Sequence, residues 1–334
     1  MKKTSRKKCM VTGGAGFIGS HLVERLLKDG HQVIVLDNFC TGRRQNLDHV
    51  KKFKTLKIVD IDIAAPYVQL NKYFDQIDWV FHLAARADIV PSIVDPLSYH
   101  QSNVDGTVNV LIASQNAKVK RFLYVASASC YGIPKQIPTP ETADISPQYP
   151  YALTKYVGEQ YTLHWARVYK LPVVSLRFFN VYGPRSRTSG TYGAVFGTFL
   201  AQKLAGKPLT VVGDGNQTRD FTFVTDVVSA MLVAVKSDIV GEMFNVGSGG
   251  TYSINTLVKL LGGEVVYIPK RPGEPDTTLA DISKIKRMLN WQPKVTFEEG
   301  VKMLLENINY WKNAPVWTPY KIQKATKKWF TYLK

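Results

Sequence analysis

Cysteine is scarce in this sequence of 334 residues. Cys9, Cys40 and Cys130 are the only three, and their positions show no metal-type spacing. That speaks against a disulfide framework or a cysteine-held metal and fits a reducing compartment. No apolar run reaches the ~18 residues of a membrane span. The basic opening MKKTSRKK leads into CMVTGGAGFIG, a strand and a glycine turn, rather than the apolar stretch of a signal peptide. No repeat of fixed period and no long low-complexity tract is present. These absences predict a soluble, cytoplasmic protein without a metal. Acidic residues are also few, 26 against 43 basic ones, for a net charge of +17. Part of the excess lies in MKKTSRKK and in the closing YKIQKATKKWFTYLK. Both read as solvated termini, with nucleic-acid binding not expected; a field that draws in a polyanionic small substrate is a further reading.

Hydrophobic residues make up 45% of the chain, enough for a real core, and the length predicts one large domain or two. KCMVTGGAGFIGSHLVERLLKDG reads as a buried strand, a glycine turn and an amphipathic helix. Gly13, Gly16 and Gly19 recur every third residue. The first two let the backbone turn and approach a pyrophosphate, and the third lets the helix pack close to the strand. Free N–H groups at the helix start then favour the anion. The next strand, HQVIVLDNF, carries Asp37 at its end, 18 residues past Gly19. An acid there accepts both ribose hydroxyls of NAD and repels a 2′-phosphate; Asn38, not Arg, follows it. Strands and helices keep alternating through LPVVSLRFFN, which predicts an α/β fold with a doubly wound parallel sheet. Asp62 and Ile63 then fall beside the adenine. Leu83, Ala84 and Ala85 line a cleft at the carboxyl edge of the sheet.

Within SPQYPYALTKYVGEQY, Tyr151 and Lys155 share one helix face, a turn apart. Pro147 and Pro150 set how the chain enters that helix. A phenol is a poor base at neutral pH, but a neighbouring ammonium and an oxidised nicotinamide both favour phenolate. Tyr151 is therefore the candidate general base for a sugar hydroxyl, and Lys155 a hold on the nicotinamide ribose. Upstream, VASASCYG ends a strand with Ser127 and Ser129, whose hydroxyls can bond the same substrate oxygen.

Taken together, Gly13–Gly19, Asp37, Ser127, Tyr151 and Lys155 resemble an extended short-chain dehydrogenase/reductase, of the nucleotide-sugar epimerase/dehydratase family. The resemblance runs over about residues 8–312 and continues through RFFNVYGPR, GDGNQTRDFTFVTDV, FNVGSG and RPGEPDTTLADISK. It implies an NAD-binding domain over 1–180, rejoined by about 221–250. It implies a smaller substrate-binding lobe over 181–220 and 251–312, leaving 313–334 as a basic tail. Phe17, Ile18, Asn103 and Phe178 join the implied cofactor site. Arg219 and Arg271 match arginines that grip the substrate diphosphate, a task for which two guanidinium forks are suited. Glu274 matches an acid near the nucleotide ribose, and Asn180 and Val195 match substrate contacts. Dehydratases and decarboxylases of the family carry acids just after the serine position. Here Ala128, Ser129, Cys130 and Tyr131 follow, which resembles the epimerases, and Cys130 reads as a packing thiol. The implied reaction is C4 epimerisation of a UDP-sugar through a 4-keto sugar. Small Thr278, at a position where a bulky tyrosine excludes N-acetylated sugars, implies that UDP-GlcNAc/GalNAc is accepted beside UDP-glucose/galactose. Arg185 and Arg187 keep UDP-glucuronate open, and a 4,6-dehydratase or decarboxylase and a non-catalytic NAD-binding sensor are the rival readings. Helices 103–117 and 150–170 match those of a homodimer interface.

Overall fold

The computed structural model describes residues 6–186 and 195–333; Arg187 lies outside them. Seven parallel strands form the central sheet. They are β1 (Lys8–Thr12), β2 (Gln32–Asp37), β3 (Leu56–Asp60), β4 (Trp79–His82), β5 (Arg121–Ser127), β6 (Val173–Phe178) and an edge strand, Glu242–Val246. From the edge strand the order is β6, β5, β4, β1, β2, β3. β1, β4 and β6 are buried along nearly their whole length, as expected of short apolar strands covered on both faces. One face packs on the helices Phe17–Lys28 and Val224–Lys236 through Leu22, Leu26, Val227 and Met231. The other packs on Gly106–Asn116 and Pro150–Tyr169 through Val110, Leu111 and Trp165. The chain winds outward in opposite directions from β1 and β4. A crevice therefore opens between their carboxyl ends, where this architecture binds ligands.

The second lobe has its own core, built on the helix Val195–Leu204, the parallel pair Leu209–Val212 and Val265–Ile268, and the helices Ile254–Leu261 and Phe297–Glu306. Thr296 and Glu299 close a reciprocal capping box at the start of the last of these.

The closing residues are not a solvated tail. Pro319–Tyr332 is a helix, with Thr318 capping its start and Pro in the first turn. Ile322, Thr326 and Trp329, spaced i, i+4, i+7, are buried, while Lys321, Lys324, Lys327 and Lys328 face solvent. The lysines that make the segment look like a free terminus are the outer face of a docked amphipathic helix. Among the described residues, no helix is long and apolar enough to cross a membrane.

Candidate active site

The helix Pro150–Tyr169 carries the reactive pair. Tyr149 is still extended, with φ −152°, and Pro150 starts the helix, so Tyr151 stands in its first turn beside the end of β5. The helix lies close against that strand because residue 158 is glycine: a Cβ there would sit 2.4 Å from the Tyr124 hydroxyl. One turn past Lys155, Glu159 forms a buried ion pair with Arg177 of β6 at 2.6 Å. The same carboxylate accepts a hydrogen bond from Ser175, and Arg177 reaches on to Tyr131. The reactive face of the helix is thus braced from below.

At the end of β5 the chain turns sharply over Ala128–Tyr131. The Ser127 and Ser129 hydroxyls lie 2.8 Å apart, and both residues line the cleft with Tyr151. Burial pushes the phenol above its ordinary range, the neighbouring Ser127 hydroxyl pulls it back, and the Cys130 thiol adds to the upward push. Lys155 stands one turn further along the helix. Its Nζ lies over the Tyr124 ring, 4.3 Å from the centroid, and burial lowers its pKa to about 7 against a smaller opposing pull from Glu159. Burial thus weakens the ammonium that would acidify the phenol. At neutral pH a fully buried lysine is only partly charged, because desolvation outweighs its one nearby acid. Burial also holds the Cys130 thiol up at about 12, as befits a packing residue.

A single cleft of about 630 Å³ runs from the glycine turn to the second lobe. At one end it is lined by Gly13, Gly16, Phe17, Ile18, Gly19, Asp37, Asn38, Asp62, Ile63, Leu83, Ala84, Ala85 and Phe178, and at its centre by Ser127, Ser129 and Tyr151. Two glycines are needed for packing here. A Cβ on Gly19 would fall 2.2 Å from the Gly13 carbonyl oxygen, and one on Gly13 would fall 2.7 Å from the Ala84 nitrogen. Asp37 is fixed at the tip of β2 by hydrogen bonds from the Ala15 and Phe39 amides, leaving lone pairs for a diol. Asn38 donates to Asp62, tying the adjacent strand ends together. A bare turn, a helix start and a strand-end carboxylate in one cleft fit an adenine dinucleotide.

Asn103 does not reach the cleft. Its amide accepts from the Arg86 nitrogen and donates to the Arg86 carbonyl and to Thr154. Both its amide hydrogens and one acceptor site of its oxygen join the loop after β4 to the reactive helix, so it shapes the wall from behind. Lys155 is likewise buried behind the cleft surface rather than lining it.

At the other end stand Asn180, Val195, Arg219, Arg271, Glu274 and Thr278. Glu274 lies between the two arginines, 3.7 Å from Arg219 and 3.4 Å from Arg271. Thr278 donates to Asn180 and accepts from the Asp220 amide, so its short side chain is pinned. Arg185, expected near a substrate carboxylate, points elsewhere: it bonds His21 and Glu24 on the helix Phe17–Lys28. Tyr149 and Trp329 are among the aromatic residues that line the cleft without having been singled out from the sequence. The i, i+4, i+7 spacing of Ile322, Thr326 and Trp329 was the available signal for the second.

Residues 9–247 match the model of the NAD dependent epimerase/dehydratase family. A UDP-glucose 4-epimerase of Mycolicibacterium smegmatis is 37% identical over 89% of this chain and 97% of its own length. A UDP-glucuronic acid decarboxylase of Arabidopsis thaliana is 34% identical over 89% of this chain and 68% of its own. Among solved structures, a UDP-N-acetylglucosamine 4-epimerase from Methanobrevibacter ruminantium, in complex with UDP-N-acetylmuramic acid, superimposes with a TM-score of 0.85. It is 34% identical, over 91% of this chain and 100% of that one. With the glycine turn, the strand-end acid, Ser127 at the end of β5 and the helix of Tyr151 and Lys155 all in place, the chain belongs to the NAD-dependent epimerase/dehydratase family of extended short-chain dehydrogenases/reductases.

Proposed function

We propose that this protein interconverts the C4 epimers of a UDP-sugar, with UDP-GlcNAc/GalNAc accepted beside UDP-glucose/galactose. The observation that carries the reading is the meeting of Ser127, Ser129 and Tyr151 at the centre of the cleft, with two arginines at its far end. Tyr151, as phenolate, takes the proton from the sugar 4-hydroxyl, and Ser127 bonds the same oxygen while charge develops on it. NAD bound there would supply the two-electron oxidant, and then the reductant, for C4, and in its oxidised form a positive ring that would favour phenolate. Gly13, Gly16, Gly19 and Asp37 hold that cofactor. Arg219 and Arg271 keep the diphosphate anchored while the 4-keto sugar turns its other face to the ring, so binding remote from C4 serves the reaction. Tyr151 then returns the proton to O4.

No acid follows Ser127 among Ala128, Ser129, Cys130 and Tyr131, which disfavours water elimination and decarboxylation. The pinned, short Thr278 supports room for an acetamido group. The exposed apolar residues Ile112, Leu153 and Tyr161 on the helices Gly106–Asn116 and Pro150–Tyr169 support a homodimer through that face; light scattering should give twice the chain mass. Tyr151→Phe tests the base directly. It keeps the ring packing, so NAD and UDP should bind as before, while turnover falls by about 10²–10⁴-fold. Undiminished turnover would remove Tyr151 from the mechanism.

A further inference from the structure

The helix Pro319–Tyr332 lies outside the residues that the family model spans, yet its Trp329 lines the cleft and is 1% exposed. The indole Nε1 donates to the Pro272 carbonyl at 2.8 Å, fixing the ring against the loop that bears Arg271. The Arg271 guanidinium lies over that ring, 5.3 Å from its centroid. On the ring's other contact stands Tyr149, 6.3 Å away, which in turn stacks on Tyr151 at 6.4 Å with the planes 6° apart. Arg271, Trp329, Tyr149 and Tyr151 thus form a continuous line from the diphosphate end of the cleft to the reacting phenol. The helix is held at both ends of its approach: the Trp317 carbonyl accepts from Gln202, and Leu333 packs where a Cβ on Gly273 would be 3.8 Å away.

We propose that the C-terminal helix is a built-in wall of the substrate site and that Trp329 is a positioning residue for Arg271. The indole face holds the guanidinium, and the bond to Pro272 holds the loop, so the fork that meets the diphosphate is set before substrate arrives. Less side-chain and loop ordering is then left to be done on binding. The inference rests on the UDP-sugar reading for the identity of the ligand.

The test compares Trp329→Ala and Trp329→Phe with the wild type by calorimetric titration with UDP and, separately, with NAD. Trp329→Ala should weaken UDP binding by about tenfold, the scale of a desolvated cation–π contact, and raise the substrate KM with little change in kcat. Trp329→Phe, which keeps a ring but loses the donor to Pro272, should recover most of the loss, and NAD affinity should be the same in all three. UDP binding in Trp329→Ala equal to wild type would overturn the proposal. So would an equal weakening of UDP and NAD, which marks a general loss of folding; if the alanine variant does not fold, the phenylalanine variant decides, and UDP affinity in it lost as far as for an Arg271→Ala control refutes a role for the ring. A wild type that binds dTDP or ADP in place of UDP refutes the choice of base, and the same comparison with that nucleotide then tests the helix. A wild type that binds NAD but no nucleoside diphosphate overturns both.

Discussion

Replacing Lys155 with methionine should make the protein more stable while disabling it. The ammonium is buried, and burial lowers its pKa from 10.5 to about 7. A tenfold change in proton affinity corresponds to about 1.4 kcal/mol, so at pH 7 this lysine costs the fold about 4 kcal/mol relative to a solvated one. Methionine has nearly the same length and no charge. Removing the buried cation should return about 1–4 kcal/mol, the range seen when buried charges give way to apolar groups. The sign with pH follows from linkage. Between pH 7 and 10.5 the unfolded chain holds more protons on this residue than the folded one, so wild-type stability rises with pH across that window. The variant has no such dependence at this site. Its advantage should therefore be constant below pH 7 and shrink as pH climbs towards 10.5. Urea denaturation of the nucleotide-free proteins at pH 6, 7, 8 and 9 reads this directly, with NAD-supported turnover measured alongside. A midpoint that falls in the variant, or an advantage that widens with pH, would refute the burial argument.

The brace below the reactive helix should be costly to break. Glu159→Ala leaves the Arg177 guanidinium in the interior without its carboxylate, and should cost about 3–5 kcal/mol, read as a large drop in Tm; an unchanged Tm would show that the pair is dispensable. Gly19→Ala should abolish NAD binding, since its Cβ would meet the Gly13 carbonyl oxygen at 2.2 Å and force the turn open. Near-normal NAD affinity by fluorescence titration would mean that the turn is not the pyrophosphate cradle.

The parts legible in the sequence were those set by local backbone demands. The glycine turn, Asp37 at a strand end and the helix beginning at Pro150 each follow from short stretches whose conformation and neighbours are constrained by covalent geometry and strand order. The parts that were not legible depend on contacts far apart in the chain. Asn103 stands in the right motif, but its amide is satisfied by Arg86 and Thr154, 17 and 51 residues away. Arg185 is near the second lobe in sequence but is bound by Glu24, 161 residues earlier. The sign of the Tyr151 pKa shift depends on how deeply the helix start is buried, which spacing alone does not reveal. The closing helix was misread because its outward lysines are conspicuous and its inward face is three residues spread over two turns. Trp329 meets Pro272 across 57 residues, and no local pattern announces that contact.

The most direct test of C4 epimerisation is proton NMR of UDP-GlcNAc, UDP-galactose and UDP-glucuronate, each incubated with the protein and NAD. C4 epimerisation predicts the C4 epimer of at least the first two, with no net change in NADH and turnover by Tyr151→Phe lowered by about 10²–10⁴-fold. Accumulation of a stable 4-keto sugar, or a pentose formed with release of carbon dioxide, would contradict it.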